Sequence, residues 1–165
     1  MIHRDMKEFS FKKVISAPEK NKFSRLNTLE VHGGKLSFCD YDSALEFYPK
    51  KARSKDVQLI VNLCRRFGEK IIILSKENPK AVMIPFTEDA SILDFERARR
   101  DIFSEVTAAL KKGGHVLFHC EQALVRSPSL VVYYLVKEAD FDQSDAVSLV
   151  VAFNKKISFI SSLFK

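Results

Sequence analysis

Between Thr28 and Cys39 apolar and polar residues alternate along the chain. Thr28-Leu29-Glu30-Val31-His32 and Lys35-Leu36-Ser37-Phe38-Cys39 each have period two, and Gly33-Gly34 supplies a turn between them, so the pair predicts a β-hairpin. Asp42 to Phe47 then predicts a short helix stopped near Pro49. Three apolar runs follow, Val57 to Leu63, Ile71 to Leu74 and Ala81 to Phe86; being short, rich in Val and Ile and bounded by Gly or Pro, they predict buried strands. Phe95, Ala98, Ile102, Val106 and Leu110 recur at helical spacing, which gives a helix over Asp94 to Lys112 ended by Gly113-Gly114. His115 to Cys120 predicts another buried strand. Helices are expected over Ser127 to Glu138 and Gln143 to Lys155, with a short terminal one from Ser158. Strands that alternate with helices and give way to a helical tail predict an α/β fold, a central and mostly parallel sheet flanked by helices with a helical C-terminal part.

A chain of 165 residues fills one domain of this kind and leaves no room for a large second one. The formal charge is +6, but residues 1–25 hold seven bases against three acids, so +4 of it belongs to a basic N-terminal extension and the expected domain spans 26–165. No apolar run is long enough for a membrane span, and no Cys/His spacing of the zinc type occurs, so neither a transmembrane segment nor a metal or other cofactor is expected. Three cysteines and no secretory signal point to a reducing compartment, the cytoplasm with the nucleus also open, and to at least one free thiol. Nothing in the pattern sets an oligomeric state.

The chemistry concentrates in His119-Cys120-Glu121-Gln122-Ala123-Leu124-Val125-Arg126-Ser127-Pro128. A cysteine at the end of a buried strand, five residues, then Arg-Ser opening a helix is the layout of a phosphate-binding loop: backbone N–H groups converge on one point and the helix adds the positive end of its dipole. Such a field stabilises a thiolate at Cys120 and cradles the phosphate that it attacks. Arg126 has the planar fork that grips two phosphate oxygens. Glu121, Gln122, Ala123, Leu124 and Val125, with Arg126, form the expected substrate-binding loop.

This segment resembles the cysteine-dependent protein tyrosine phosphatases, and in particular the dual-specificity phosphatase branch. The likeness runs from about Leu26 onward: Leu36 to Ala44 is similar to the hairpin and helix that open that catalytic domain, Val61-Asn62-Leu63 to its second core strand, and Ala81 to Phe86 to the strand before its acidic loop. The resemblance implies a phosphorylated protein substrate, with phosphotyrosine and phosphoserine/threonine both hydrolysed through a cysteinyl-phosphate. Cys120 attacks phosphorus while a carboxylic acid protonates the leaving oxygen and later activates water. Asp89, 31 residues before Cys120, has the family's separation and is the first choice for that acid; adjacent Glu88 and Asp94 are alternatives. By the same resemblance Ser127 donates to the thiolate, besides a structural part as helix cap, and the His119 imidazole bonds to loop backbone.

The remaining histidines, His3, His32 and His115, have no constellation around them and read as surface or strand residues. Cys39 and Cys64 lie in apolar strand patterns and read as core thiols, and Tyr133-Tyr134 as packing residues. Two departures bear on rate. The family pattern has Gly and Ser at the third and fifth loop positions where this chain has Ala123 and Val125; a positive φ at Ala123 implies a strain of roughly 1 kcal/mol and a methyl group crowding the phosphate. Glu121 sets a carboxylate beside an anion site. Two alternatives therefore accompany the protein phosphatase: the same chemistry on phosphoinositide or the 5′ end of RNA, and a feebly active pseudophosphatase that binds phosphoproteins.

Overall fold

The computed structural model describes residues 26–64 and 71–164; the expected basic extension and His3 lie outside them. The alternating segments form β1 (Asn27–Val31) and β2 (Gly34–Cys39), paired antiparallel with Leu29 opposite Leu36. The hairpin is pressed against the rest of the fold at its turn. A Cβ on Gly34 would lie 2.5 Å from the Gly114 carbonyl oxygen, and one on Gly114 would lie 2.7 Å from that of Ala109, so this approach requires glycine at both positions.

Four further strands, β3 (Leu59–Asn62), β4 (Ile72–Ser75), β5 (Lys80–Met83) and β6 (His115–His119), complete a sheet in the order β1-β2-β6-β3-β5-β4. The middle four, β2, β6, β3 and β5, run parallel, and the two outer strands are antiparallel to their neighbours. Register brings Cys39, His119, Asn62 and Met83 level at one edge of the parallel strands, where ligands of open α/β sheets bind. The expected burial of Ile71 to Leu74 is corrected: β4 is a sheet edge, with Ile73 and Leu74 nearly half exposed. An apolar run of four residues reads the same whether one or both of its faces are covered.

Helices are α1 (Tyr41–Ala44), α2 (Ile92–Ala98), α3 (Ser104–Lys111), α4 (Arg126–Glu138) and α5 (Gln143–Val151). Asp40 caps α1, its carboxylate accepting from Ser43 N at 2.8 Å, and a 3-10 turn carries the chain on to Phe47. The long helix expected over Asp94 to Lys112 starts two residues earlier, at a capping box of Ser91 and Asp94, and is interrupted by a π turn at Arg99–Phe103. That turn buries two successive residues, Ile102 and Phe103, which a regular α-helix would set about 100° apart. The helix expected to reach Lys155 ends at Val151, and the terminal one is a single 3-10 turn at Ser161–Phe164.

Strand alternation divides the core between the two faces of the sheet. Val116, Phe118 and Cys120 join the larger cluster with Phe95, Phe103, Leu130 and Tyr134, whereas Leu117 packs with Cys39, Phe47 and Ile60 on the other face. Tyr133 and Tyr134 are packing residues as expected, and the Tyr134 hydroxyl meets Thr107 Oγ1 at 2.6 Å.

His115 stands in a strand, as expected, and His32 at the hairpin turn; both have structural hydrogen bonds. His32 Nε2 lies 3.0 Å from the carbonyl oxygen of Glu138, which ties the hairpin turn to the end of α4. His115 Nε2 is 2.6 Å from Ser37 Oγ, itself 2.7 Å from Thr28 Oγ1, and the His115 amide donates to Gln58 Oε1. A hydrogen-bonded row thus crosses β6, β2 and β1. Burial, then the Lys35 ammonium, pushes the imidazole down to about 4 from its ordinary 6.5; Asp56 opposes and Arg53 adds to the shift. As pH falls the unfolded chain takes up this proton near 6.5 while the native one resists until about 4. The contribution is therefore complete above pH 6.5 and is lost progressively down to about 4, at roughly 1.4 kcal/mol per unit of difference. Urea unfolding across this range is expected to show that loss in the wild type and a flatter profile in His115→Gln.

Candidate active site

Strand β6 delivers Cys120 to the level edge, and the chain turns through Glu121–Val125 before Arg126 opens α4. The Cys120 amide donates to the Cys39 carbonyl at 3.4 Å, and the Tyr41 amide donates to that of Glu121 at 3.2 Å, so β2 and α1 hold the start of the loop. Cys120 is 2% exposed. Its sulfur lies 3.1 Å from Ser127 Oγ and accepts the Ser127 amide at 3.4 Å. Ser127 is the second residue of α4 and not its cap, which is Val125 without a side-chain bond; the expected capping part is corrected, and its hydroxyl meets the sulfur.

Arg126 is anchored across the edge. Its Nη1 donates to the Leu63 carbonyl at 3.2 Å and to the Phe86 carbonyl at 3.4 Å, the segments that follow β3 and β5. Two strand ends thereby aim one guanidinium at the loop, leaving its other N–H groups for a ligand. A cavity of about 280 Å³ is bounded by Cys120, Glu121, Gln122, Leu124, Val125 and Arg126 and by Glu88.

Asp89 does not stand in that wall. It is exposed, and its Oδ1 accepts the Thr87 hydroxyl at 2.5 Å. Asp94 lies in the capping box, accepts the Ser91 amide at 2.8 Å and pairs with Arg97 at 3.2 Å. Ala123 is also outside the wall: φ is +61°, the left-handed conformation that the family pattern satisfies with glycine, and its methyl packs into the larger core cluster. The strain is there, but the expected crowding of the phosphate is corrected, because the methyl is packed into the core. Relief of strain in Ala123→Gly is opposed by a lost methyl contact and a more mobile unfolded chain, each about 1 kcal/mol. Stability within about 1 kcal/mol of the wild type is therefore expected. Ala123→Val sets a β-branched residue at positive φ in a filled core and is expected to cost about 2–4 kcal/mol, measured by urea unfolding.

Beneath the loop, His119 is fully buried, and the expected bond of its imidazole to loop backbone is corrected: its Nε2 lies 2.7 Å from the Tyr48 hydroxyl. Asn62 Nδ2 donates to that hydroxyl at 3.2 Å, which leaves the phenolic proton to bridge to His119, and Asn62 Oδ1 accepts the Cys64 amide at 2.8 Å. Sequence reasoning missed Tyr48 and Asn62 as supports of the site. A lone amide inside Val61-Asn62-Leu63 was the available signal; nothing marked Tyr48. Cys39 and Cys64 are buried free thiols. Burial, then the neighbouring Glu121 carboxylate, pushes Cys64 up to about 12 against the opposing pull of Arg126, so it stays protonated.

The family model described as "Dual specificity phosphatase, catalytic domain" matches residues 39–164, about three quarters of the chain. The chain belongs to the dual specificity phosphatase family. Solved structures agree in fold. A mouse putative dual specificity phosphatase complexed with zinc tungstate is 16% identical, with 90% of this chain and 86% of that one covered at a TM-score of 0.63. Human DUSP28 is 15% identical over 86% and 88%, with a TM-score of 0.61. PTPMT1 in complex with PI(5)P is 14% identical over 80% and 85%, with a TM-score of 0.55. No curated protein matches the sequence significantly. The mixed sheet with its helical C-terminal part is the fold of dual specificity phosphatases, and the domain is of the phosphatase type. Among the described residues of this dual specificity phosphatase domain, no helix is long and apolar enough to cross a membrane and no group of three His, Cys, Asp or Glu is placed to hold a metal.

Proposed function

We infer that this domain hydrolyses phosphotyrosine and phosphoserine/threonine in proteins through a cysteinyl-phosphate formed on Cys120. The observation that carries the reading is the buried Cys120 sulfur, set between the Ser127 donors and facing the same cavity as Arg126. The sulfur attacks phosphorus, the P–O bond to the leaving group breaks, and that oxygen takes a proton from a carboxylic acid. Water then displaces the cysteine, its proton passing to the same carboxylate while Ser127 steadies the departing sulfur. His119 holds the end of β6 through Tyr48 and does not exchange protons with substrate.

The acid belongs to the Thr87–Ala90 loop. Spacing favours Asp89, but Glu88 lines the cavity while Asp89 is occupied by Thr87, and this supports Glu88 as the donor. Glu88→Gln is expected to lower kcat for an ester with a poor leaving group by about 10²-fold, and Asp89→Asn by much less. The opposite ranking returns the role to Asp89.

Hydrolysis of a small aryl phosphate above the rate of Cys120→Ser tests the activity, and its absence overturns the reading in favour of a phosphoprotein-binding module. Phosphotyrosyl peptide, phosphothreonyl peptide, phosphoinositide and a 5′-phosphorylated RNA, compared at equal concentration, test the substrate class. Among the described residues that line the cavity Arg126 is the one cation, and Glu121 and Glu88 line it too, which favours singly phosphorylated peptide over a head group or RNA end with several phosphates. Faster turnover of phosphoinositide or RNA overturns that choice.

A further inference from the structure

The chain after α5 is not a passive tail. Ile157, Ile160 and Leu163, spaced by three, are buried in the larger core, and the polar groups between them reach three parts of the active site. The Ser158 amide donates to the carbonyl of Leu124, inside the cysteine loop, at 2.9 Å. The Ile160 amide donates to Ser129 Oγ at 2.9 Å, in the first turn of the helix that Arg126 opens. The Ser162 hydroxyl donates to the Ala90 carbonyl at 2.6 Å, at the end of the acidic loop, and the Ala90 amide turns back to the Thr87 carbonyl at 3.1 Å.

We propose that residues 157–163 form a strap that fixes the acidic loop in register with the nucleophile loop, with Ser162 as the positioning residue for the general acid. Nucleophile and acid come from loops more than 30 residues apart in sequence, and proton delivery requires a carboxyl within hydrogen-bond reach of the leaving oxygen. The strap touches both loops. Its grip on the nucleophile loop uses main-chain groups and depends little on sequence, whereas its grip on the acidic loop is a single side-chain hydroxyl. Ser162 is therefore the point at which acid placement is lost without disturbing Cys120 or Arg126.

The proposal rests on the phosphatase reading, and the test separates the two. Ser162→Ala and Ser162→Thr are made in the full chain and assayed on phenyl phosphate, whose leaving group needs a proton, and on a fluorinated umbelliferyl phosphate, whose leaving group does not. Ser162→Ala is expected to lower kcat on phenyl phosphate five- to tenfold and on the activated ester less than twofold, with Ser162→Thr close to wild type on both. An equal fall on both esters, or no fall on either, overturns the strap. If the wild type turns over neither ester, the phosphatase reading fails. Amide hydrogen exchange then decides alone: the Ala90 amide is expected to exchange at least fivefold faster in Ser162→Ala with the Leu124–Ser129 amides unchanged, and unchanged exchange at Ala90 overturns the proposal.

Discussion

Cys120→Ser is expected to reduce turnover of an aryl phosphate by at least about 10⁴-fold while leaving the fold intact, a loss of the size seen when a nucleophile is removed from a preorganised site. The substitution exchanges sulfur for a smaller oxygen in a position 2% exposed, within reach of the Ser127 hydroxyl and amide, so packing changes little. Chemistry changes completely. A hydroxyl holds its proton far more tightly than a thiol. Arg126 and the Ser127 amide stay, so the variant still binds phosphate competitively. Initial rates and inhibition by inorganic phosphate measure both halves of this expectation, and a variant retaining even one hundredth of wild-type turnover contradicts the assigned nucleophile.

Arg126→Lys is expected to lower kcat/KM by about 10³-fold despite conserving charge. The guanidinium serves two clients at once: Nη1 is held by the carbonyls of Leu63 and Phe86, and the same side chain lines the cavity. An ammonium has three donors on one point and no fork. Satisfying the carbonyls, it gives up the phosphate; reaching for the phosphate, it abandons two carbonyls at strand ends. Two charge-assisted hydrogen bonds at about 2 kcal/mol each give the stated factor. A loss below tenfold would show that the planar fork is dispensable here.

Local pattern was sufficient for much of this molecule. Period-two alternation located the hairpin, and the apolar run ending at Cys120 located both the central strand and the reactive loop, because nucleophile, arginine and serine sit within eight consecutive residues. What escaped depends on partners far along the chain. The Ser37–His115 bond joins residues 78 apart, and the Tyr48–His119 bond joins residues 71 apart; no window of sequence holds both ends. The edge position of β4 escaped for the same reason, since it is set by which strand lies next to β5. Ala123 was legible in its backbone, where the departure from glycine announced strain, and illegible in its side chain, whose direction only the folded loop defines.

The π turn at Arg99–Phe103 also bears on the choice between two neighbouring carboxylates. The helix that contains it works as a measuring rod. Phe95, at its near end, is fixed against Phe86 and Tyr133, and its far end closes on Gly113 and Gly114, where the glycine contacts with the hairpin leave no slack. With both ends pinned, the span in space is fixed, and a π turn fits one more residue into it than an uninterrupted helix holds. The interval from the acidic loop to Cys120 is thus one residue longer than an uninterrupted helix of the same span would give, and one residue is also what separates Glu88, 32 before Cys120, from Asp89 at 31.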